Sequence, residues 1–345
     1  MKKRVTLRDI ADKLNLSRTT ISIALRDHPR IAEATRKKIR TLVKKMGYEP
    51  DRIARSLATG RSNLIGVMVA DSTNPYYADV VRGIEDAARD AGYHVVLANG
   101  SYDLEVEASR IREMIRLRAA GIIAAPAFTS ERPRLPRFWQ ELRKSGFPFL
   151  LLNRQLNPPL FHQVSADNVT GVRLAVEALA SLGHRRVAYI SGKPAVVPIR
   201  QRLRAFRRFV QRYGLENDPE LFACCELGPR GGYVACRRLW TTLGRKPTAI
   251  MALSDAEAFG VLRYLREERV RVPGDVSVMG FDGFEAAEFS CVSLSTVCTP
   301  MRETGRQAVK LLIDIIEQRV RSTQNIIWPV KLLMRESVGP APAGG

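Results

Sequence analysis

From Leu64 onward the chain alternates short, mainly apolar runs with amphipathic stretches several helical turns long, and few folds accommodate that rhythm. The runs are residues 64–70, 95–98, 121–125 and 149–152, then 187–190, 249–253 and 276–281. A strand that is apolar on both faces must be covered on both, so these read as buried parallel strands of repeated βα units. Two series predict two doubly wound sheets and therefore two lobes. Ligands on such sheets sit beyond the carboxyl ends of the strands, which makes an interlobe cleft the expected binding site.

The first sixty residues follow another period. Leu7, Ile10, Ala11 and Leu14 fall at i, i+3, i+4 and i+7 on one helical face, and Thr6 with Asp9 has the spacing of a capping box. Asn15-Leu16 interrupts the pattern. Ser17 can cap a second helix with Ile21, Ala24 and Leu25 inward, which leaves Arg18, Thr19, Ser22 and Ile23 facing outward. A third helix is expected from about Ala32 to Met46, ended by Gly47. Two helices joined by a three- or four-residue turn can place the second in a major groove, although the same unit also occurs as an αα-hairpin that packs only against protein. Between Pro50 and Gly60 lie about two further helical turns, too few to be stable alone. In a minor groove Leu57 would be an apolar wedge there, with Arg52 and Arg55 near phosphates.

Charge bears on that choice. The chain carries a net +20, and residues 1–61 hold 17 Lys/Arg against 6 Asp/Glu, a net of +11, whereas the other 284 residues hold 38 against 29. A basic excess of this kind attracts polyanions, though a merely solvated surface gives the same count. No run approaches the ~18 apolar residues of a membrane helix, and the basic start leads into an amphipathic segment rather than a secretory one, so a cytoplasmic protein with no membrane partner is expected. Cys224, Cys225, Cys236, Cys291 and Cys298 show no C-x-x-C spacing and read as small core residues without a disulfide. The four histidines lie far apart, and neither a structural metal nor a cofactor is expected. The G-x-S-x-G elbow, the phosphate loop and the strand-linked G-x-G-x-x-G are all missing, which argues against an enzyme.

Several stretches together resemble one family. Thr6-Leu7-Arg8-Asp9-Ile10-Ala11, Ser17-x-x-Thr20-Ile21-Ser22, Thr35-Arg36, Gly47-Tyr48-x-Pro50 and Ala54-Arg55-Ser56-Leu57 resemble the headpiece and hinge of the lactose/galactose repressor family. Asn74-Pro75-Tyr76-Tyr77, Asp167-Asn168-x-x-Gly171, residues 182–187, Ser254-Asp255 with Gly260, and Gly280-Phe281-Asp282 resemble its effector-domain landmarks, so the likeness runs from about Val5 to Ser337. The resemblance implies an all-α helix-turn-helix headpiece (1–49), a hinge (50–61) and an α/β two-lobed domain like periplasmic binding proteins (62–337), with a disordered tail expected at 338–345. It also implies three crossings between lobes. The first lobe would take roughly 62–160 plus a return near 295–320, and the second roughly 161–290 plus a final strand near 324–334.

The DNA-binding set implied is Thr6, Arg8, Ser17, Arg18, Thr19, Ser22, Ile23, Arg52, Arg55 and Leu57, with Arg18, Thr19 and Ile23 reading bases and Leu57 inserted at the operator centre. The effector set implied is Tyr76, Tyr77, Asn153, Arg202, Leu227, Ser254 and Asp282. Within it the tyrosines form a platform, and Arg202 and Asp282 bracket a polyol from facing lobes. Ala32, Asp51 and Ile23 depart from the family pattern, as does Leu227, which stands where an aromatic residue commonly closes the pocket. The expected function is that of a DNA-binding regulator, a repressor in kind, which binds a palindromic operator as a homodimer under control of a small-molecule effector such as a sugar. A solute-binding transport protein would share the large domain but not the basic N-terminal module. An unregulated, nucleoid-like DNA binder is the other alternative.

Overall fold

The computed structural model describes residues 5–25, 30–47, 62–193 and 196–342, and the chain separates into two compact units, Met1–Ser62 and Asn63–Gly345. The described part of the first unit holds helices α1 (Leu7–Leu14), α2 (Arg18–Ala24) and α3 (Glu33–Met46). The start of α1 is a complete capping box, in which Asp9 N–H donates to Thr6 Oγ1 at 3.3 Å and Thr6 N–H to Asp9 Oδ2 at 2.7 Å. At its other end Asn15 takes a left-handed conformation (φ 52°) and Leu16 N–H returns to the Ala11 carbonyl, so the helix stops where the apolar period breaks. Ala32 precedes α3 without a side-chain cap, and Gly47 closes it at φ 62°. Ile10, Ala11, Ile21, Ala24 and Ile39 form the shared core. The hinge stretch with Arg52, Arg55 and Leu57 lies outside the described residues.

The second unit runs β1 (Leu64–Val69), α4 (Pro75–Asp90), β2 (His94–Asn99), α5 (Leu104–Arg116), β3 (Gly121–Ala124), α6 (Arg137–Lys144), β4 (Phe149–Leu152), β5 (His162–Ala166), α7 (Asn168–Ser181), β6 (Val187–Gly192) and α8 (Val197–Arg212). It continues with β7 (Phe222–Cys225), α9 (Pro229–Thr242), β8 (Ala249–Ala252), α10 (Asp255–Glu267), β9 (Ser277–Asp282), β10 (Ser295–Cys298), α11 (Met301–Ile316), β11 (Asn325–Trp328) and β12 (Lys331–Leu333). All seven apolar runs are strands. Two six-stranded sheets result, ordered β11-β5-β4-β3-β1-β2 and β12-β10-β9-β8-β6-β7, parallel throughout except for the β10–β12 pair.

The lobe boundaries differ from those expected in three places. β5 closes on β4 of the first sheet rather than opening the second lobe, and β10 pairs with β9 of the second sheet, so the return to the first lobe begins only with α11. The final strand is divided, because Asn325–Trp328 pairs with β5 while Lys331–Leu333 pairs with β10. The chain therefore crosses after β5, after β10 and between β11 and β12.

The tail is also ordered as far as residue 342. Val338 is buried, Gly339 N–H donates to Ser277 Oγ at 3.1 Å, His184 Nε2 lies 3.0 Å from the Gly339 carbonyl, and Ala341 N–H donates to the Leu182 carbonyl at 2.8 Å. Of the cysteines only Cys236 is a buried core residue; Cys224 and Cys291 are exposed, and all five thiols are free. The two outer ones sit on an edge strand and a surface loop, where small size confers no burial.

Candidate functional site

Burial of Ile21 and Ala24 fixes which way α2 faces. Arg18 with Ser22, and Thr19 with Ile23, are i, i+4 pairs on the other side of the helix; Arg18 and Thr19 are exposed, Ser22 and Ile23 half-buried. The remaining headpiece candidates do different work. Ser17 is the α2 cap and accepts from Thr20 N–H at 3.0 Å, the Thr6 hydroxyl is engaged with Asp9, and exposed Arg8 lies 3.9 Å from Asp12. An outward helix face that begins with a guanidinium and a hydroxyl and carries an aliphatic side chain one turn later has the groups that read guanine edges and thymine methyls.

In the second unit a cavity of about 280 Å³ opens between the lobes. Its walls are the segments that leave the carboxyl ends of both sheets, as the parallel topology dictates. Tyr76, Tyr77 and Asn153 on the first lobe and Arg202, Leu227, Ser254 and Asp282 on the second all line it, so all seven effector candidates converge. Asn74 caps α4 by accepting from Tyr76 N–H, and the rings of Tyr76 and Tyr77 meet edge to face at 5.3 Å. Burial raises the Tyr76 phenol above its ordinary range, so it enters the site as a neutral hydroxyl. Contacts also bridge the two lobes. Val197 N–H donates to the Phe128 carbonyl at 2.9 Å, Gln201 Nε2 lies 3.2 Å from Gln155 Oε1, and Phe284 packs into the apolar core of the first lobe.

One expectation is corrected. Arg202 and Asp282 do not face each other from opposite lobes, since α8 and β9 both belong to the second. They are bonded to each other, Nη2 to Oδ1 at 2.7 Å, with both side chains buried. Arg202 also donates from Nε to Asn168 Oδ1 and from Nη1 to the Leu253 carbonyl, and its guanidinium lies 3.7 Å from the Phe281 ring centroid. Burial pushes the Asp282 carboxyl up to about 6, against the opposing pull of Arg202. The pair is a buried fixture of one wall, in which Arg202 commits three of its five donors. Ser254 is likewise occupied, as the cap of α10 and as a donor to Glu257.

Among the lining residues that the sequence analysis does not single out are Tyr102, Arg154 and Glu257. Arg154 is fully buried, and Glu257 nearly so. The available signals were a charge two residues after the 149–152 strand and a carboxylate three residues after Ser254. Backbone strain marks the same place. Tyr102, Asn153 and Asp282 all have positive φ (58°, 50° and 108°), a region that side-chain-bearing residues seldom occupy. Among the described residues no cluster of His, Cys, Asp and Glu could hold a metal ion, and no helix is long and apolar enough to cross a membrane.

A helix-turn-helix unit followed by a two-lobed domain around a ligand-sized cavity defines a DNA-binding regulator with a sensing domain of the periplasmic-binding-protein type. Residues 6–51 match the model for bacterial regulatory proteins of the lacI family, and residues 176–338 match that for the periplasmic binding protein-like domain. The HTH-type transcriptional regulator CelR of Thermobifida fusca is 30% identical over 345 residues, covering 97% of this chain and 99% of its own. The HTH-type transcriptional repressor CytR of Escherichia coli K12 is 28% identical over 338 residues, 98% and 97% of the two chains. The crystal structure of the lac repressor dimer bound to operator and the anti-inducer ONPF superimposes with a TM-score of 0.87 at 24% identity, covering 97% of this chain and 99% of that one. The chain belongs to the lacI family of bacterial transcription regulators.

Proposed function

We propose that this regulator acts in the cytoplasm as a homodimeric repressor, reads a palindromic operator through Arg18, Thr19 and Ile23 of α2, and is switched by a small metabolite bound between its lobes. The observation that carries the reading is the cavity. Seven residues scattered over more than two hundred positions of sequence meet there, at the carboxyl ends of two sheets. The solved lac repressor, a dimer on operator with an anti-inducer, supports the same division of labour. Hinge residues Arg52, Arg55 and Leu57 complete the DNA-binding set in this reading, with Leu57 as the minor-groove wedge. A ligand acts only through its different affinity for the open and closed arrangements, so operator affinity and ligand affinity must be reciprocally linked.

Selection of bound sites from random DNA by the full chain, repeated with and without a metabolite pool, tests this directly. A two-fold symmetric motif is expected, with enrichment that changes when the pool is present. Log affinity should fall linearly with log salt, by roughly 0.9 per neutralised phosphate. Binding without a preferred motif, or without response to the pool, would favour the unregulated DNA binder.

A further inference from the structure

Five charged side chains line the interlobe cavity: Asp71, Arg154, Arg202, Glu257 and Asp282. Arg202 and Asp282 neutralise each other at 2.7 Å. Three remain, two acidic and one basic, so the cavity is locally acidic inside a chain of net charge +20.

The hydrogen-bond capacity left over has the same sign. A guanidinium has five N–H donors. Arg154 directs Nε to the Pro126 carbonyl, Nη1 to Asn153 O at 2.8 Å, and Nη2 to Ala125 O at 3.1 Å and to the Tyr77 hydroxyl at 3.5 Å. Four of the five are committed within the first lobe. A carboxylate has about four acceptor sites. Glu257 fills two of them, with Gly228 N–H at 2.6 Å and the Ser254 hydroxyl at 2.5 Å, both neutral donors. Asp71 accepts the amide and hydroxyl of Thr73 on Oδ1, and Oδ2 has no hydrogen-bond partner among the described residues. Neither acid has an ion-pair partner among the described residues, although Glu257 is 1% exposed. A carboxylate that deep needs a compensating cation or further donors. Asp71, Arg154 and Glu257 all act electrostatically on Tyr102, which lines the same cavity.

We propose that the effector of this regulator is a small metabolite bearing a protonated amine, seated against the Glu257 carboxylate, with the rest of the molecule on the tyrosines. This rests on the reading of the cavity as the effector site. The Gly228 contact anchors Glu257 beside Leu227, so the corner that would otherwise hold a flat aromatic wall offers an aliphatic surface and an anion. Such a corner suits an alkyl ammonium or an amino-substituted ring. An anionic ligand would find one uncommitted donor on Arg154, two on Arg202, whose charge Asp282 already neutralises, and two carboxylates without an ion-pair partner among the described residues.

The test exposes the full chain to three pools matched in carbon number, one of primary amines including amino sugars and diamines, one of neutral polyols and sugars, and one of carboxylates, and reads thermal stabilisation. The amine pool should stabilise most. Its best member should bind at least tenfold more weakly to Glu257→Gln, and its N-acetylated form should lose at least tenfold in affinity for the unmodified protein, a comparison independent of how the variant folds. Strongest stabilisation by the carboxylate or neutral pool, or an amine that tolerates N-acetylation, overturns the proposal and leaves the effector reading standing. If no pool stabilises the protein, both fall.

Discussion

Removing one member of the Arg202–Asp282 pair is the perturbation whose outcome the geometry fixes most tightly. Both groups are about 95% buried, and they bond at 2.7 Å. Asp282→Ala leaves a guanidinium in that environment with only Asn168, the Leu253 carbonyl and the Phe281 ring for company. Breaking a buried pair in this way costs about 3–5 kcal/mol, because the remaining charge keeps its desolvation penalty and loses its counter-ion. At roughly 2–4 °C per kcal/mol for a domain of this size, the unfolding midpoint of the second unit should fall by about 6–20 °C. Arg202→Met strands the carboxylate instead and should cost a similar amount. The double variant strands neither, so it should recover most of the loss and give a coupling of at least about 2 kcal/mol. Calorimetry of the full chain at pH 8, above the value of about 6 to which burial raises Asp282, reads all four corners of the cycle. Additive singles, or an Asp282→Ala loss below about 1 kcal/mol, would refute the buried-pair argument and return Asp282 to a purely ligand-facing role.

Thr6→Ala removes one half of the capping box and should destabilise the first unit by about 1 kcal/mol in thermal unfolding; no change would mean that solvent already satisfies those amides. Ile23→Arg should shift the selected base at one symmetric pair of operator positions toward guanine, whereas an unchanged motif would place Ile23 off the base edges. Asp255 accepts from Thr296 Oγ1 and from the amides of Gly283 and Phe284, yet burial outweighs these bonds and raises its carboxyl to about 7. Because the folded value exceeds the unfolded one, its contribution to stability is complete below about pH 4 and is lost as pH rises through about 7. Asp255→Asn should therefore flatten the dependence of the midpoint on pH between 5 and 8, and parallel curves for the two proteins would count against the assignment.

Periodicity found the strands that are apolar on both faces and overlooked those whose inward positions are polar. In β5 the buried Gln163 is satisfied by both backbone groups of Leu156 and by Asn325, and in β10 Thr296 donates to Asp255 while Ser295 bonds to Arg335 and Ser337. Those partners lie up to 162 residues away, and no local pattern announces them. An apolar run says that a strand is covered, not which sheet covers it, which explains why β5, β10 and the Asn325–Trp328 part of the final strand lie in the lobes opposite to those expected. The cavity was more legible, because the strand ends predict a cleft, and the family resemblance assigns Tyr76, Asn153, Ser254 and Asp282 to it. Arg154 and Glu257 were not, since a lone charge beside a strand or in the first turn of a helix looks like surface until the opposite lobe covers it. The side of the cleft from which Arg202 and Asp282 approach depends on crossings that spacing does not encode.

The division of the last strand between the two sheets bears on how the protein is made. Helices α1–α3 are complete once residue 47 has left the ribosome, and their core draws on nothing later in the described chain. Neither sheet is complete until the very end, because the first gains its outer strand at Trp328 and the second at Leu333. At about 5–20 residues per second the interval between the emergence of residue 47 and that of Trp328 lasts roughly 14–56 s. Throughout that time the nascent chain carries a finished helix-turn-helix unit and two unfinished lobes. A polypeptide cut short at any point between residues 47 and 325 lacks the closing strand of both lobes together, never of one alone.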